Sequence, residues 1–363
     1  MARRGNRIGY REYRGRSGGG SAVLKFIIAL LAVLLLLGIL FMVFFSDYLE
    51  YTDDGVRVHL PWMSGEASAP PEPSDPVVIV SDSLDVTVEP QVSEEPTPEP
   101  TPPLPVIGVA EVSVRQLREG TAAAAVEAAG GNALVVEMKA TSGKLNWQSQ
   151  VELAATLNVN AANDETAQAI RALAQEGELY LVARVQCFRD PILSNAKVGS
   201  LRTPTGKIWY DSRGLNWSSP ACQETVDYLT ALCLELADMG FDEILLDSSG
   251  YPDFGEIHVL ATNENRPEDL TVPVTAFYRQ LSEKLRERGV RMSVLTSQAA
   301  LQEENLNSGV SAAGLAQYAD RVWLPAPRED CDYAAILTAA GMEDAGEKLV
   351  VQGGPESDGS WYK

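Results

Sequence analysis

At 363 residues and a net charge of −21, the chain has room for one large domain with flanking segments rather than for three domains. Seven basic residues against Glu12 give the first 25 residues +6, which leaves −27 for the rest; that portion repels nucleic acid and anionic lipid, so neutral or cationic partners are favoured. Four cysteines with no C-x-x-C spacing, only two histidines (His59 and His258), and no Walker A loop or dinucleotide glycine fingerprint leave zinc, dithiol, histidine-triad and nucleotide chemistry without support.

In chain order, the basic tail 1–25 comes first, followed by Phe26 to Phe45, which carries no charge and is long enough to cross a bilayer as a helix. Arginines before it and acids after it place the N-terminus in the cytoplasm and everything from about Ser46 outside, anchored in the cell membrane as a single-pass protein. Residues 46–105 read as an extracellular juxtamembrane segment and spacer. Tyr51 to Trp62 contains alternating Val56, Val58 and Leu60, a small strand, and Gly65 to Pro105 is too rich in Pro, Glu, Ser and Thr to fold, with at most a brief strand at Val77 to Val80.

From Val106 to the C-terminus the composition becomes globular and strands alternate with helices. Strands are expected at Val106–Val109, Ala133–Lys139, Leu179–Phe188, Glu243–Asp247, Arg291–Thr296, Asp320–Leu324 and Lys348–Gln352. Helices are expected at Val114–Ala129, Asn163–Gln175, Pro220–Met239, Val272–Arg288, Ala312–Tyr318 and Asp332–Ala340. The third helix has Ser219 as cap, Pro220 in its first turn, and Val226, Leu229, Leu232, Cys233 and Leu236 on one face, with Gly240 closing it. This alternation fits a (β/α)8 TIM-like barrel that is one strand short: an eighth strand hides near Trp209 or near Trp361, or the barrel is incomplete, and a doubly wound open sheet is the competing architecture. The cysteines read as buried apolar residues; a Cys187–Cys222 bridge is conceivable, but a domain of this size does not need one.

The strand Glu243–Asp247 holds the first candidate site residue. Ile244 and Leu246 face one way and Glu243, Leu245 and Asp247 the other, and Asp247 stands at the carboxyl end, where α/β proteins place their chemistry. An Asp that only caps the turn Ser248-Ser249-Gly250 is the alternative. The same period of two aligns Val135, Glu137 and Lys139 on one strand and Tyr180, Val182, Arg184 and Gln186 on the next. Charges inside apolar strands are costly unless paired or facing a wet cavity, so Glu137, Lys139, Arg184 and Asp247 are expected to meet at the barrel mouth, or else to form a buried ion network that only fixes the barrel. Trp209, Tyr210 and Trp217 on the long loop Arg189–Ser218, with Tyr251 and Trp323 beside other strand ends, are flat surfaces suited to stacking on a sugar next to carboxylates.

Four runs carry a more specific signal: NALVVEMKATSG at Asn132–Gly143, LYLVARVQCFRDP at Leu179–Pro191, GKIWYDSRGLNW at Gly206–Trp217 and GFDEILLDSSGYP at Gly240–Pro252. In this order they resemble a family of bacterial glycoside-hydrolase-like proteins with an alpha-amylase-like TIM barrel, often behind an N-terminal membrane anchor, and the resemblance spans most of Val106–Gly354. It implies hydrolysis of a cell-surface or extracellular polysaccharide by a carboxylate pair, with Asp247 as nucleophile or base and Glu137 as acid; Glu243 and Asp211 are weaker choices for the acid. Glu243 lies about 13 Å below Asp247 along the strand, too far to be its partner. Lys139, Arg184, Gln186, Trp209, Asp211 and Tyr251 are the expected substrate-binding residues. The chain departs from the family pattern where Ser248, Ser249 and Gly250 replace Tyr, Val and Arg, where SVLTSQA at Ser293–Ala299 supplies no acid after the fifth strand, and where WLPAPRED at Trp323–Asp330 replaces a Pro-, Met- and Tyr-rich stretch. These departures keep open a second reading, a non-catalytic barrel that binds a wall glycan as a surface scaffold. No metal or organic cofactor is called for.

Overall fold

A computed structural model describes residues 49–52, 55–58, 104–302, 306–328 and 331–363. The chain divides into two units, Met1–Glu95 and Pro96–Lys363. Of the first, the structure describes a two-stranded antiparallel pair, Leu49–Thr52 with Gly55–Val58, where the sequence reading placed one strand within Tyr51–Trp62. The expected transmembrane helix at Phe26–Phe45, the basic tail and the brief strand at Val77–Val80 lie outside the described residues. Among the described residues no helix is long and apolar enough to cross a membrane. The expected single-pass anchor, the membrane as a partner and the sidedness deduced from them are therefore not supported.

The second unit is a closed, all-parallel barrel of eight strands: β1 Gly108–Glu111, β2 Ala133–Lys139, β3 Tyr180–Gln186, β4 Glu243–Asp247, β5 Arg291–Leu295, β6 Arg321–Leu324, β7 Leu349–Gln352 and β8 Ser360–Tyr362. Each strand pairs with its neighbours in sequence, and β8 closes the ring by pairing with both β7 and β1. Closure excludes the doubly wound sheet. The missing strand is the one near Trp361; the Trp209 region instead forms isolated antiparallel bridges, Arg202 with Ile208 and Tyr210 with Asn216. The Trp361 ring lies directly over Gly108, where a Cβ would sit 2.6 Å from it, so only glycine lets the last strand seat against the first.

Period-two alternation sorts the strand residues into two apolar sets. Leu134, Val136, Met138, Leu181, Ala183, Val185, Ile244, Leu246, Met292 and Val294 face outward beneath the helices, while Val109, Val135, Val182, Leu245, Trp323 and Val350 fill the barrel interior. Each large aliphatic side chain so buried contributes roughly 1.5–3 kcal/mol. The helix Gln223–Met239 shows the outer layer: Val226, Leu229, Leu232, Cys233 and Leu236 are all buried, and Gly240 ends it at a φ of 108°.

Local departures have local causes. Cys222, not Ser219, occupies the N-cap of that helix; the Ser219 hydroxyl instead accepts from the Ala221 N–H at 2.9 Å and donates to the Asn265 carbonyl, so Ser219 and Pro220 belong to the preceding turn. The first expected helix divides into Val114–Arg118 and Ala122–Ala129 because Gly120 adopts a φ of 69° between them. All four cysteines are free, with Cys187 and Cys233 buried.

Candidate active site

The barrel interior is layered along its axis. At the amino end of the strands the inward side chains Tyr180, Glu243 and Arg321 form a buried polar plug, and the apolar middle layer covers it. One inward position further along β1, β2, β3 and β4 come Glu111, Glu137, Arg184 and Asp247, and this is the mouth formed by the carboxyl ends of the strands.

One guanidinium organises that mouth. Arg184 approaches three carboxylates from three other strands: Nη1 to Glu111 Oε1 at 3.5 Å, Nη2 to Glu137 Oε1 at 3.6 Å and Nε to Asp247 Oδ2 at 3.6 Å. These contacts are longer than good charge-assisted hydrogen bonds, and Nε has no hydrogen-bond partner. All four side chains keep solvent access, from 21% for Asp247 to 56% for Glu111, so the group is an open cluster and not a sealed ion network. Because Glu137 and Asp247 touch the same guanidinium, their carboxyl groups are at most about 10 Å apart, within the span used by carboxylate-pair glycosidases.

The two acids have different surroundings. Burial pushes the Glu137 pKa above its ordinary value; Arg184 opposes the shift, the charges of Asp247 and Glu111 add to it, and the balance is upward. Asp247 is held by hydrogen bonds: Gln186 Nε2 donates to Oδ2 at 2.6 Å, and the Ser248 hydroxyl lies 3.2 Å from Oδ1 and 3.1 Å from Gln186 Oε1. Ser248 adopts a φ of 50°, a left-handed conformation uncommon for a residue with a Cβ, immediately after the strand ends. Tyr362 of β8 completes the rim, half-buried, with its hydroxyl pKa raised by burial and by nearby Tyr333, against the influence of Arg184.

The structure brings Glu137, Arg184, Gln186 and Asp247 together and separates the other expected residues from them. Lys139 does not reach the mouth. A register shift between Glu137 and Lys139 turns it outward to pair with the face of Val185, where its buried ammonium meets Asp190 Oδ2 at 2.7 Å and the Gln186 carbonyl at 2.8 Å. Trp209, Asp211, Trp217 and Tyr251 are buried within the loops rather than presented as sugar platforms. Asp211 is a hub: Arg189 pairs with it at 2.7 Å, the Trp217 indole donates at 3.0 Å, and the Arg213 and Leu215 N–H groups donate at 2.8 and 3.1 Å. Trp209 donates to the Glu256 carbonyl, and the Tyr251 hydroxyl lies 3.3 Å from Ser219 Oγ. Trp323 is inside the barrel with its indole on Glu243. The large aromatics exposed on these two loops are Tyr210 and Phe254. Glu243 is committed to the plug at the opposite end from the mouth.

Sequence reasoning missed Glu111 and Tyr362. Ending the first strand at Val109 stopped the alternation one inward position early, and continuing the period of two by one step reaches Glu111; the same period on a strand through Trp361 puts Tyr362 opposite it. Among the described residues no group of three or more His, Cys, Asp or Glu is arranged to hold a metal ion.

Residues 110–323, more than half of the chain, match the family described as "Putative glycosyl hydrolase domain". The chain belongs to that family. No curated protein matches it. Among solved structures it is similar to a hypothetical protein from Ruminiclostridium thermocellum, at 22% identity over 51% of this chain and 96% of that one, with a TM-score of 0.45. It is also similar to the PgaB (BpsB) glycoside hydrolase domain from Bordetella bronchiseptica, at 11% identity over 68% of this chain and 84% of that one, with a TM-score of 0.49. A third is catalytic domain 2 of the Ostrinia furnacalis Group II chitinase, at 10% identity over 68% and 63%, with a TM-score of 0.40.

Proposed function

We propose that the barrel mouth hydrolyses a glycosidic bond in a polysaccharide, with Glu137 as general acid and Asp247 as nucleophile or base. The observation that carries this reading is the pair itself: two carboxyl groups from inward positions of β2 and β4, against one guanidinium from β3 between them, in a family described as glycosyl hydrolases. A general acid must be protonated at working pH, and the surroundings of Glu137 act in that sense. The raised pKa of Glu137 favours the protonated form, and Gln186 and Ser248 fix the orientation of the Asp247 carboxyl group. Arg184 and Gln186 orient the pair, and Glu111 adds a third charge at the rim.

One observation favours a second reading, glycan binding without hydrolysis. The end of β5 continues as Thr296 and Ser297 with no carboxyl group, and Arg184 partly neutralises the proposed acid. The test is release of reducing ends from a panel of bacterial polysaccharides by the full chain, beside Asp247→Asn and Glu137→Gln. Hydrolysis by the parent that falls by about a hundredfold or more in both variants supports the acid and nucleophile assignments. Equal release by parent and variants removes these residues from catalysis, and binding without release by any form favours the scaffold.

A further inference from the structure

The ends of β5 and β6 enclose a cavity of about 230 Å³ that no step of the proposed reaction uses. Ser297, Gln298, Gln302, Pro325 and Arg328 are among its lining residues. Ser297 lies two residues past Leu295, the last of β5, and Pro325 follows Leu324, the last of β6, so the cavity belongs to the same rim as Asp247. β5 is the direct neighbour of β4, which places the cavity one strand around the rim from Asp247.

Its walls are cross-linked before any ligand arrives. Gln298 Oε1 accepts from the Arg328 backbone N–H at 3.1 Å and from the Tyr333 hydroxyl at 3.2 Å, and Gln298 Nε2 donates to Gln302 Oε1 at 3.1 Å. The Ser297 hydroxyl accepts from the Ala300 N–H at 3.2 Å and fixes the turn that carries Gln298. A preformed, amide-lined cavity of this volume is smaller than the several hundred Å³ taken up by a drug-sized ligand and has the chemistry to exchange hydrogen bonds with hydroxyl groups.

We propose that this cavity is a subsite for one pyranose unit of the glycan, with Gln298 and Gln302 receiving its hydroxyls while the scissile bond lies over Glu137 and Asp247. The proposal rests on the reading of the mouth as a glycan site, and binding separates the two. In the full chain carrying Asp247→Asn, affinities for cello-, chito- and galacturonate oligomers of two to six units are measured by calorimetry, alone and with Gln298→Ala or Gln302→Ala added. At the length that first reaches the cavity, affinity for one oligomer series rises by about tenfold, about 1.4 kcal/mol, and both alanine variants abolish that step while binding of shorter oligomers is unchanged. Gln302 is exposed, so its replacement leaves the fold intact even where Gln298→Ala weakens the turn. A length step that survives both substitutions overturns the subsite and leaves the glycan site standing. Failure of every oligomer to bind overturns both.

Discussion

Arg184 opposes the upward pull of burial on the Glu137 carboxyl. Its cation favours the ionised form of Glu137, whereas Asp247 and Glu111 favour the protonated form. Arg184→Met therefore raises the Glu137 pKa further, and the descending limb of the kcat/KM profile moves to higher pH, because the protonated acid persists there. The rate at the optimum falls by about a hundredfold as the pair loses its alignment, and Arg184→Lys restores part of it. A profile with an unmoved or lowered limb would show that another group is titrating; carbon-13 observation of the glutamate carboxyls follows the same shift without substrate. Ser248 offers a second test at this scale. Its φ of 50° costs of order 1 kcal/mol, which Ser248→Gly relieves, so the variant is more stable in denaturant by up to that amount. It also loses the hydroxyl beside Asp247 and Gln186, so hydrolysis slows as stability rises.

The loop between β3 and β4 is ordered by one buried carboxylate. Burial alone would raise the Asp211 pKa, but the bonds from Trp217, Leu215, Arg213 and Arg189 outweigh it and hold the group below its ordinary value. A carboxyl with a depressed folded-state pKa stabilises above its unfolded pKa, and that contribution disappears as pH falls through the folded value. Asp211→Ala leaves the buried Arg189 unpaired and costs about 3–5 kcal/mol, with exchange protection lost first in Arg202–Trp217, as hydrogen exchange measures. Uniform loss across the barrel would contradict this local role. This loop also marks where the sequence stopped being legible. Strands and helices with a regular apolar period, such as Glu243–Asp247 and the buried face of Gln223–Met239, were readable because burial repeats with backbone geometry. Trp209 and Asp211 alternate with exposed Tyr210 on an irregular excursion whose inner face is set by distant partners, so their burial left no period to read. The bulge that turns Lys139 outward is hidden for the same reason, since an extra residue between Glu137 and Lys139 reverses the face without changing composition. β8 is three residues long, below the length at which alternation is distinguishable from chance.

Across the whole barrel, the open carboxylate cluster and the buried polar plug are segregated to opposite ends, with an apolar layer between them. At the closed end Glu243 accepts from the Tyr180 hydroxyl at 2.9 Å and the Trp323 indole at 3.1 Å and pairs with Arg321. Arg321 in turn donates to the Tyr180 hydroxyl at 3.1 Å and to the Pro105 carbonyl at 2.5 Å, which ties the chain entering β1 to β6 across the ring. The Arg321 and Glu243 side chains are fully buried, so removing one strands the other charge. Arg321→Met therefore destabilises by about 3–5 kcal/mol, a fall in melting temperature of roughly 10 °C for a domain of this size, while the double variant Arg321→Met with Glu243→Leu recovers most of the loss because no isolated charge remains. Among the described residues no hydrogen bond or ion pair joins Tyr180, Glu243 or Arg321 to Glu111, Glu137, Arg184 or Asp247, and Trp323, which donates to Glu243 and packs against Tyr362 at 5.3 Å, is kept, so glycan affinity at the mouth stays within about twofold in any of these variants that remains folded at the assay temperature. A plug variant that folds but loses affinity would mean that the two ends are coupled through the apolar layer, and the mouth residues alone would then no longer account for the site.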